Sequence, residues 1–208
     1  MNNFGKIENY GWSDSEAESS HGYLGPALLR ICKDIGAKNI LDLGCGNGAL
    51  TRVLSNAGFE ITGCDADEKG IQLAKQASPE IEFRVASVYD DPNLMGNNNF
   101  DAVISAEVVE HLLLPRRLPK FAHAVLKKDG YLVITTPYHG YLKNLALSLL
   151  NKWDRHHDPL WDGGHIKFWS RPMLTQLLEG EGFAVKSFMG VGRLPYLWKS
   201  MILVAQKV

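Results

Sequence analysis

A mainly parallel α/β sheet covered by helices on both faces is the architecture expected of this chain, and three observations carry it. Short apolar runs alternate with stretches of helical periodicity from residue 39 to residue 179, the pattern of repeated strand-helix-strand units. The first apolar run passes straight into a glycine-rich turn, Gly44-Cys45-Gly46-Asn47-Gly48. The last two apolar runs are joined by a linker too short for a helical crossover, so they read as an antiparallel hairpin at the sheet.

In chain order, residues Asn2 to His21 are polar with scattered aromatics and read as a mobile segment leading into a first helix over Leu24–Ile35. Strands are expected at Asn39–Leu43, Glu60–Cys64, Glu82–Ala86, Phe100–Ser105 and Tyr131–Thr135, with the hairpin at Ala184–Met189 and Met201–Gln206. Helices are expected over Leu50–Ala57, Glu68–Gln76, Arg117–Lys127 and Pro172–Glu179. Gly58, Gly130 and Gly182 each stand between a helix and a strand, where a left-handed residue ends the helix. The sum is seven strands in a single domain, residues 1–208, with residues 1–36 as an N-terminal covering segment and residues 137–169 as an insertion.

With 208 residues, 45% of them apolar, the chain can bury one good core. A formal charge of −1 provides no basic field for non-specific nucleic-acid binding, although Lys152, Arg155 and Lys167 could form a local patch. Cys32, Cys45 and Cys64 are dispersed and odd in number, which suits a reduced, cytoplasmic protein. No basic-then-apolar leader opens the chain and no apolar stretch reaches the length of a membrane span. The short amphipathic run Tyr141 to Trp153 reads chiefly as a helix packed on its own domain and otherwise as a peripheral contact with a lipid surface.

The glycine-rich turn describes a nucleoside-cofactor pocket. Glycines at 44, 46 and 48 allow a tight turn with no Cβ between chain and ligand, and the following helix aims its free N–H groups at the same place. Gly44, Gly46 and Ala49 with Asp65 satisfy the dinucleotide fingerprint as well. Asp42 tilts the choice: a carboxylate at the strand end repels a pyrophosphate but suits the ammonium and sulfonium charges of S-adenosylmethionine. The plain alternative is a strand-end aspartate that caps the turn.

Leu41-Asp42-Leu43-Gly44-Cys45-Gly46-Asn47-Gly48 resembles the first motif of the class I S-adenosylmethionine-dependent methyltransferases, a likeness that covers about residues 20 to 208. The resemblance implies a Rossmann-like seven-stranded sheet with an antiparallel last strand. It further implies that Asp42, Gly44, Cys45, Gly46, Asn47 and Gly48 hold the methionine part, that Asp65 with Ala66 takes the ribose, and that Ser87 and Val88 flank the adenine, with Ala106 at the next strand end. Many members place an aspartate where Ser87 stands, so the adenine contact falls to the Ser87 hydroxyl, nearby backbone or Asp90.

The fourth strand ends at the sheet's carboxyl edge, where ligands bind in open α/β folds, and runs at once into Ala106-Glu107-Val108-Val109-Glu110-His111. If a helix begins there, Glu107, Glu110 and His111 share one face. Two close carboxylates need a positive group between them, either a divalent ion or a basic side chain. His165, just before the last long helix, is a fourth candidate ligand. Glu107-x-x-Glu110-His111 with that later histidine resembles the ubiquinone-pathway O-methyltransferases and, less closely, the small-RNA 3′-terminal 2′-O-methyltransferases. Carried over, Glu107, Glu110, His111 and His165 would hold Mg, Mn or Zn; without an ion, His111 or His165 is the candidate general base and Glu107 a further catalytic group.

The stretch Pro137 to Trp169, long and rich in aromatics, should shape the acceptor pocket and suits a small or lipidic acceptor. His156-His157-Asp158 reads as a solvated loop or, less readily, a second metal cluster. Trp12, His21 and Tyr23 either cover the cofactor or pack against the domain. The rival readings are an RNA-terminus methyltransferase, which needs a basic groove, and a cofactor-binding or partner-binding domain without turnover.

Overall fold

The computed structural model describes residues 10–16, 20–96, 99–161 and 163–208. The remainder, residues 1–9, 17–19, 97–98 and 162, which includes part of the expected N-terminal segment, lies outside the described residues.

Along the chain run α1 (His21–Asp34), β1 (Asn39–Leu43), α2 (Ala49–Asn56), β2 (Glu60–Asp65), α3 (Glu68–Ala77), β3 (Glu82–Val85), β4 (Phe100–Ala106), α4 (Arg117–Val125) and β5 (Leu126–Pro137). After them come α5 (Tyr141–Leu149), α6 (Trp153–His157), α7 (Arg171–Glu179), β6 (Phe183–Val191) and β7 (Ser200–Lys207). The sheet has the order β3-β2-β1-β4-β5-β7-β6. Its first five strands pair in parallel, and β7 runs antiparallel between β5 and β6, as the short final linker requires. The order reverses at β1 and β4, which places a crevice at their carboxyl ends.

Strand parity divides the core. Leu41 and Leu43 of β1 face one side of the sheet, where Leu118 and Phe121 of α4 and Leu174 and Leu178 of α7 cover them. Ile40 faces the other side, against Leu24 and Leu28 of α1, Leu54 of α2 and Ile71 of α3. Asp42 shares the Ile40 side, a placement with consequences for the site.

Three expectations change. Of the helix-ending glycines, Gly58 and Gly182 take positive φ, but within β5, at the irregularity between the paired residues Leu126 and Tyr131, it is Asp129 (φ 61°) that does so and Gly130 does not. The segment after β4 is no α-helix: Glu107 adopts φ 56° and Val109–His111 form a single 3₁₀ turn. The run Tyr141 to Trp153 divides into α5 and the start of α6, and α5 does not bury its apolar side chains. Lys143 is its buried residue, whereas Tyr141 is 79% and Leu149 76% exposed. Among the described residues no helix is long and apolar enough to cross a membrane.

Candidate functional site

The glycine turn is tight because each glycine touches something that leaves no room for a side chain. Gly44 (φ 87°) lies against the Val108 side chain, and Gly46 (φ 53°) lies beneath the indole of Trp12. Beside them a cleft opens, lined by Gly44, Cys45 and Gly46 from the turn, by Asp65 and Ala66 at the end of β2, by Ser87 and Val88 after β3, and by Ala106 and Glu107 at the end of β4. Asp65 binds the turn from β2, accepting from the Gly46 N–H at 2.8 Å through Oδ2 and from the Asp67 N–H at 2.8 Å through Oδ1. Burial holds its carboxyl above the usual carboxylate range. Asp90 accepts from the Ser87 N–H at 2.9 Å and so shapes the third turn, while Ser87 itself faces the cleft.

Three residues expected to touch the cofactor stand elsewhere. Asp42 lies below the turn on the α2 side, 1% exposed, where its Oδ2 accepts from the Thr51 hydroxyl at 2.7 Å and its Oδ1 has no hydrogen-bond partner. Burial pushes its carboxyl up to about 7, with the nearby Asp65 charge adding to the effect. The physical reason is parity: alternate residues of a strand face opposite sides, and position 42 faces α2, not the crevice. Asn47 is buried and pins the N-terminal segment, its Nδ2 donating to the Asp14 and Glu16 carbonyls at 3.1 and 2.9 Å. Gly48 (φ 74°) packs against Ala74 and Phe83 at the start of α2.

Glu107 is held in its left-handed conformation by β5 and β7. Its N–H donates to the Thr135 carbonyl and hydroxyl, Thr135 Oγ1 donates to its Oε1 at 2.7 Å, and Ser200 Oγ donates to its Oε2 at 3.1 Å. Tyr23 extends the chain, its hydroxyl 3.2 Å from Ser200 Oγ. A non-glycine residue at positive φ carries strain that such contacts must offset, a pattern that marks functional sites.

The 3₁₀ turn that follows gathers the rest. The Glu110 carbonyl accepts from the N–H groups of Ile166 and Lys167, both at 3.0 Å, which docks the segment carrying His165 onto the turn. Glu110 is fully buried; Thr136 Oγ1 donates to its Oε2 at 3.0 Å and its Oε1 has no partner. Burial, reinforced by Glu107, holds its carboxyl well above the ordinary range. His111 Nδ1 donates to the Gly163 carbonyl at 2.8 Å, which leaves Nε2 as an acceptor for the Tyr10 hydroxyl at 3.1 Å. Burial lowers the pKa of both the His111 and His165 imidazoles, that of His165 down to about 4. One ligand atom from each of Glu110, His111 and His165 lies within 4.8 Å of the others. Glu107 is outside this convergence, because its left-handed backbone turns its carboxylate toward Thr135 and Ser200; of the four residues that the resemblance implies as ligands, the structure brings Glu110, His111 and His165 together.

His156 and His157 gather with His139 through ring contacts of 5.1 to 5.8 Å, yet no group including them converges as the first three do among the described residues. Residues that sequence reasoning missed are Tyr10, Val108, Thr135, Thr136 and Ser200. Of these only Thr135 and Thr136 carried a signal, as hydroxyls at the carboxyl end of an apolar strand.

The family model of the methyltransferase domain matches residues 17–187. The ubiquinone biosynthesis O-methyltransferase of Hydrogenovibrio crunogenus is 27% identical over 196 residues, 88% of this chain and 81% of that one. The mitochondrial ubiquinone biosynthesis O-methyltransferase of Bos taurus is 32% identical over 173 residues, 79% of this chain but 46% of that one, so the chain spans about half the length of this relative. A solved structure described as an S-adenosylmethionine-dependent methyltransferase, from Mesorhizobium loti, superposes with a TM-score of 0.68 at 20% identity, covering 88% of this chain and 96% of that one. The chain belongs to the methyltransferase domain family and is a methyltransferase with the fold of the S-adenosylmethionine-dependent class.

Proposed function

We propose that the protein transfers the methyl group of S-adenosylmethionine to a hydroxyl of a small aromatic acceptor with an apolar arm, assisted by a divalent ion. The observation that carries this reading is the convergence of Glu110, His111 and His165 beside the cleft, with a wholly buried carboxylate oxygen that has no donor. Two imidazoles and a carboxylate are a fitting donor set for Mg, Mn or Zn. Bound there, the ion would supply positive charge to the acceptor oxygen as its proton leaves.

In this reading the loop Gly44–Gly46 and Asp65 hold the polar half of the methyl donor, Ala66, Ser87, Val88 and Ala106 its base side, and Asp42 stands beneath the loop as a carboxyl that ionises near neutral pH. The methyl donor contributes a carbon already bonded to a sulfonium sulfur. The acceptor's O–H bond breaks, its oxygen bonds that carbon, and the sulfur keeps the electron pair of the broken S–C bond as a neutral sulfide. Glu107, oriented by Thr135 and Ser200, takes the acceptor proton. If no ion is bound, His111 or His165 takes it. The exposed apolar side chains of α5 support an acceptor with a lipidic arm and a peripheral contact with the membrane that holds it.

The test is transfer of labelled methyl to catechol, a prenylated phenol and a short RNA, each with chelator and with Mg²⁺, Mn²⁺ or Zn²⁺ restored. Transfer to the phenols that chelator abolishes and an ion restores supports the reading. Transfer to RNA alone supports the RNA-terminus rival, and binding of S-adenosylmethionine with no product supports a scaffold. Phenol methylation indifferent to chelator leaves the histidine version.

A further inference from the structure

The N-terminal strap places a phenol in the cleft. The Tyr10 hydroxyl sits 3.1 Å from His111 Nε2, the one nitrogen of that ring not engaged by the Gly163 carbonyl. Three rings enclose the Tyr10 ring: Trp12 stacks on it at 5.6 Å, and His111 and Trp161 meet it edge-on at 5.3 and 5.2 Å. The backbone at this point is fixed, since the Tyr10 N–H donates to Asp67 Oδ2 at 2.7 Å while Asp67 Oδ1 caps α3. Further along, the strap is tied down separately: Asn47 donates to the Asp14 and Glu16 carbonyls, and the Arg52 guanidinium donates to the Ser15 carbonyl. These anchors of the strap beyond Tyr10 do not involve the Tyr10 side chain.

We infer that Tyr10 is a built-in stand-in for the acceptor: its ring and hydroxyl fill a subsite for a monocyclic phenol, walled by Trp12 and Trp161 and ended by His111, and an incoming phenol displaces it. The inference rests on the proposed O-methylation and narrows it, because a sugar or an aliphatic alcohol has no flat aromatic ring to meet these walls stacked and edge-on as the Tyr10 ring does. It also makes the strap a competitor. While Tyr10 occupies the subsite the acceptor meets only the fraction of molecules in which it is withdrawn, so apparent affinity is lowered by that fraction.

The experiment measures catechol binding by calorimetry to the full chain saturated with S-adenosylhomocysteine, for wild type, Tyr10→Ala and Tyr10→Phe, with melting temperature as a check on folding. Tyr10→Ala is expected to bind catechol about tenfold more tightly than wild type, since both the ring and the hydrogen bond of the competitor are gone. Tyr10→Phe, which keeps the ring and loses the hydroxyl, should fall between the two. Unchanged or weaker binding in both variants overturns the inference and makes Tyr10 a supporting residue of the site. Labelled-methyl transfer in the same samples separates the two ideas: tighter catechol binding without any transfer leaves the subsite standing and removes the proposed O-methylation.

Discussion

Replacing Asp42 by asparagine should make the protein more stable in mildly alkaline solution, although it deletes a hydrogen-bonded charge next to the glycine turn. In the folded chain the carboxyl is 1% exposed and its pKa stands at about 7, against 3.8 when unburied. At 1.36 kcal/mol per decade that gap costs about 4 kcal/mol wherever the group must be ionised. The sign follows from proton counts. Between pH 3.8 and about 7 the folded state holds a proton on Asp42 that the unfolded state has lost, so wild-type stability falls as pH rises through this window and levels off above it. Asparagine lacks the effect. It keeps an oxygen for the Thr51 hydroxyl but buries an amide N–H group where Oδ1 has no partner, at a cost of about 2 kcal/mol. The variant should therefore match wild type near pH 5 and exceed it by about 2 kcal/mol at pH 8, a rise in Tm of about 4–8 °C for a chain of this size. Thermal unfolding of both proteins without methyl donor, from pH 5 to 8.5, reads this directly. A stability difference that does not change with pH would refute the argument, because it would mean that no raised carboxyl sits beneath the turn.

Asp65→Ala should weaken S-adenosylmethionine binding in calorimetry by at least tenfold, while Glu107→Gln should leave that affinity intact and lower kcat; the opposite split would exchange their proposed roles. Gly48→Ala, at φ 74° with its new Cβ 2.8 Å from that of Ala74 and 2.9 Å from the Phe83 ring, should cost about 3 kcal/mol in denaturant unfolding, and a loss below 1 kcal/mol would show that the turn relaxes freely. Changing both Leu142 and Leu149, 50% and 76% exposed, to Glu should raise KM for a prenylated phenol several-fold and leave that for catechol unchanged. Equal effects on both acceptors would disconnect α5 from the lipidic arm.

The sheet could be read from the chain because strand and helix periodicity, the glycine turn and the short last linker are local signals, each set by residues a few positions apart. The cleft residues Gly44, Cys45, Gly46, Asp65, Ala66, Ser87, Val88 and Ala106 were within reach for the same reason: each ends a strand or sits in the turn after one, and parallel strands bring those ends together. Contacts between distant positions decided the rest. Glu107 leaves the helical register because Thr135 and Ser200, 28 and 93 residues away, hold its carboxylate. His165 joins Glu110 and His111 because two amides of its own segment bond the Glu110 carbonyl, and Tyr10 reaches His111 across 101 residues. Asp42 showed its charge in the sequence but not its direction, since which face a strand residue occupies depends on which helix covers that face. Local patterns set backbone form; the environment that gives a carboxylate or an imidazole its chemistry is assembled by packing.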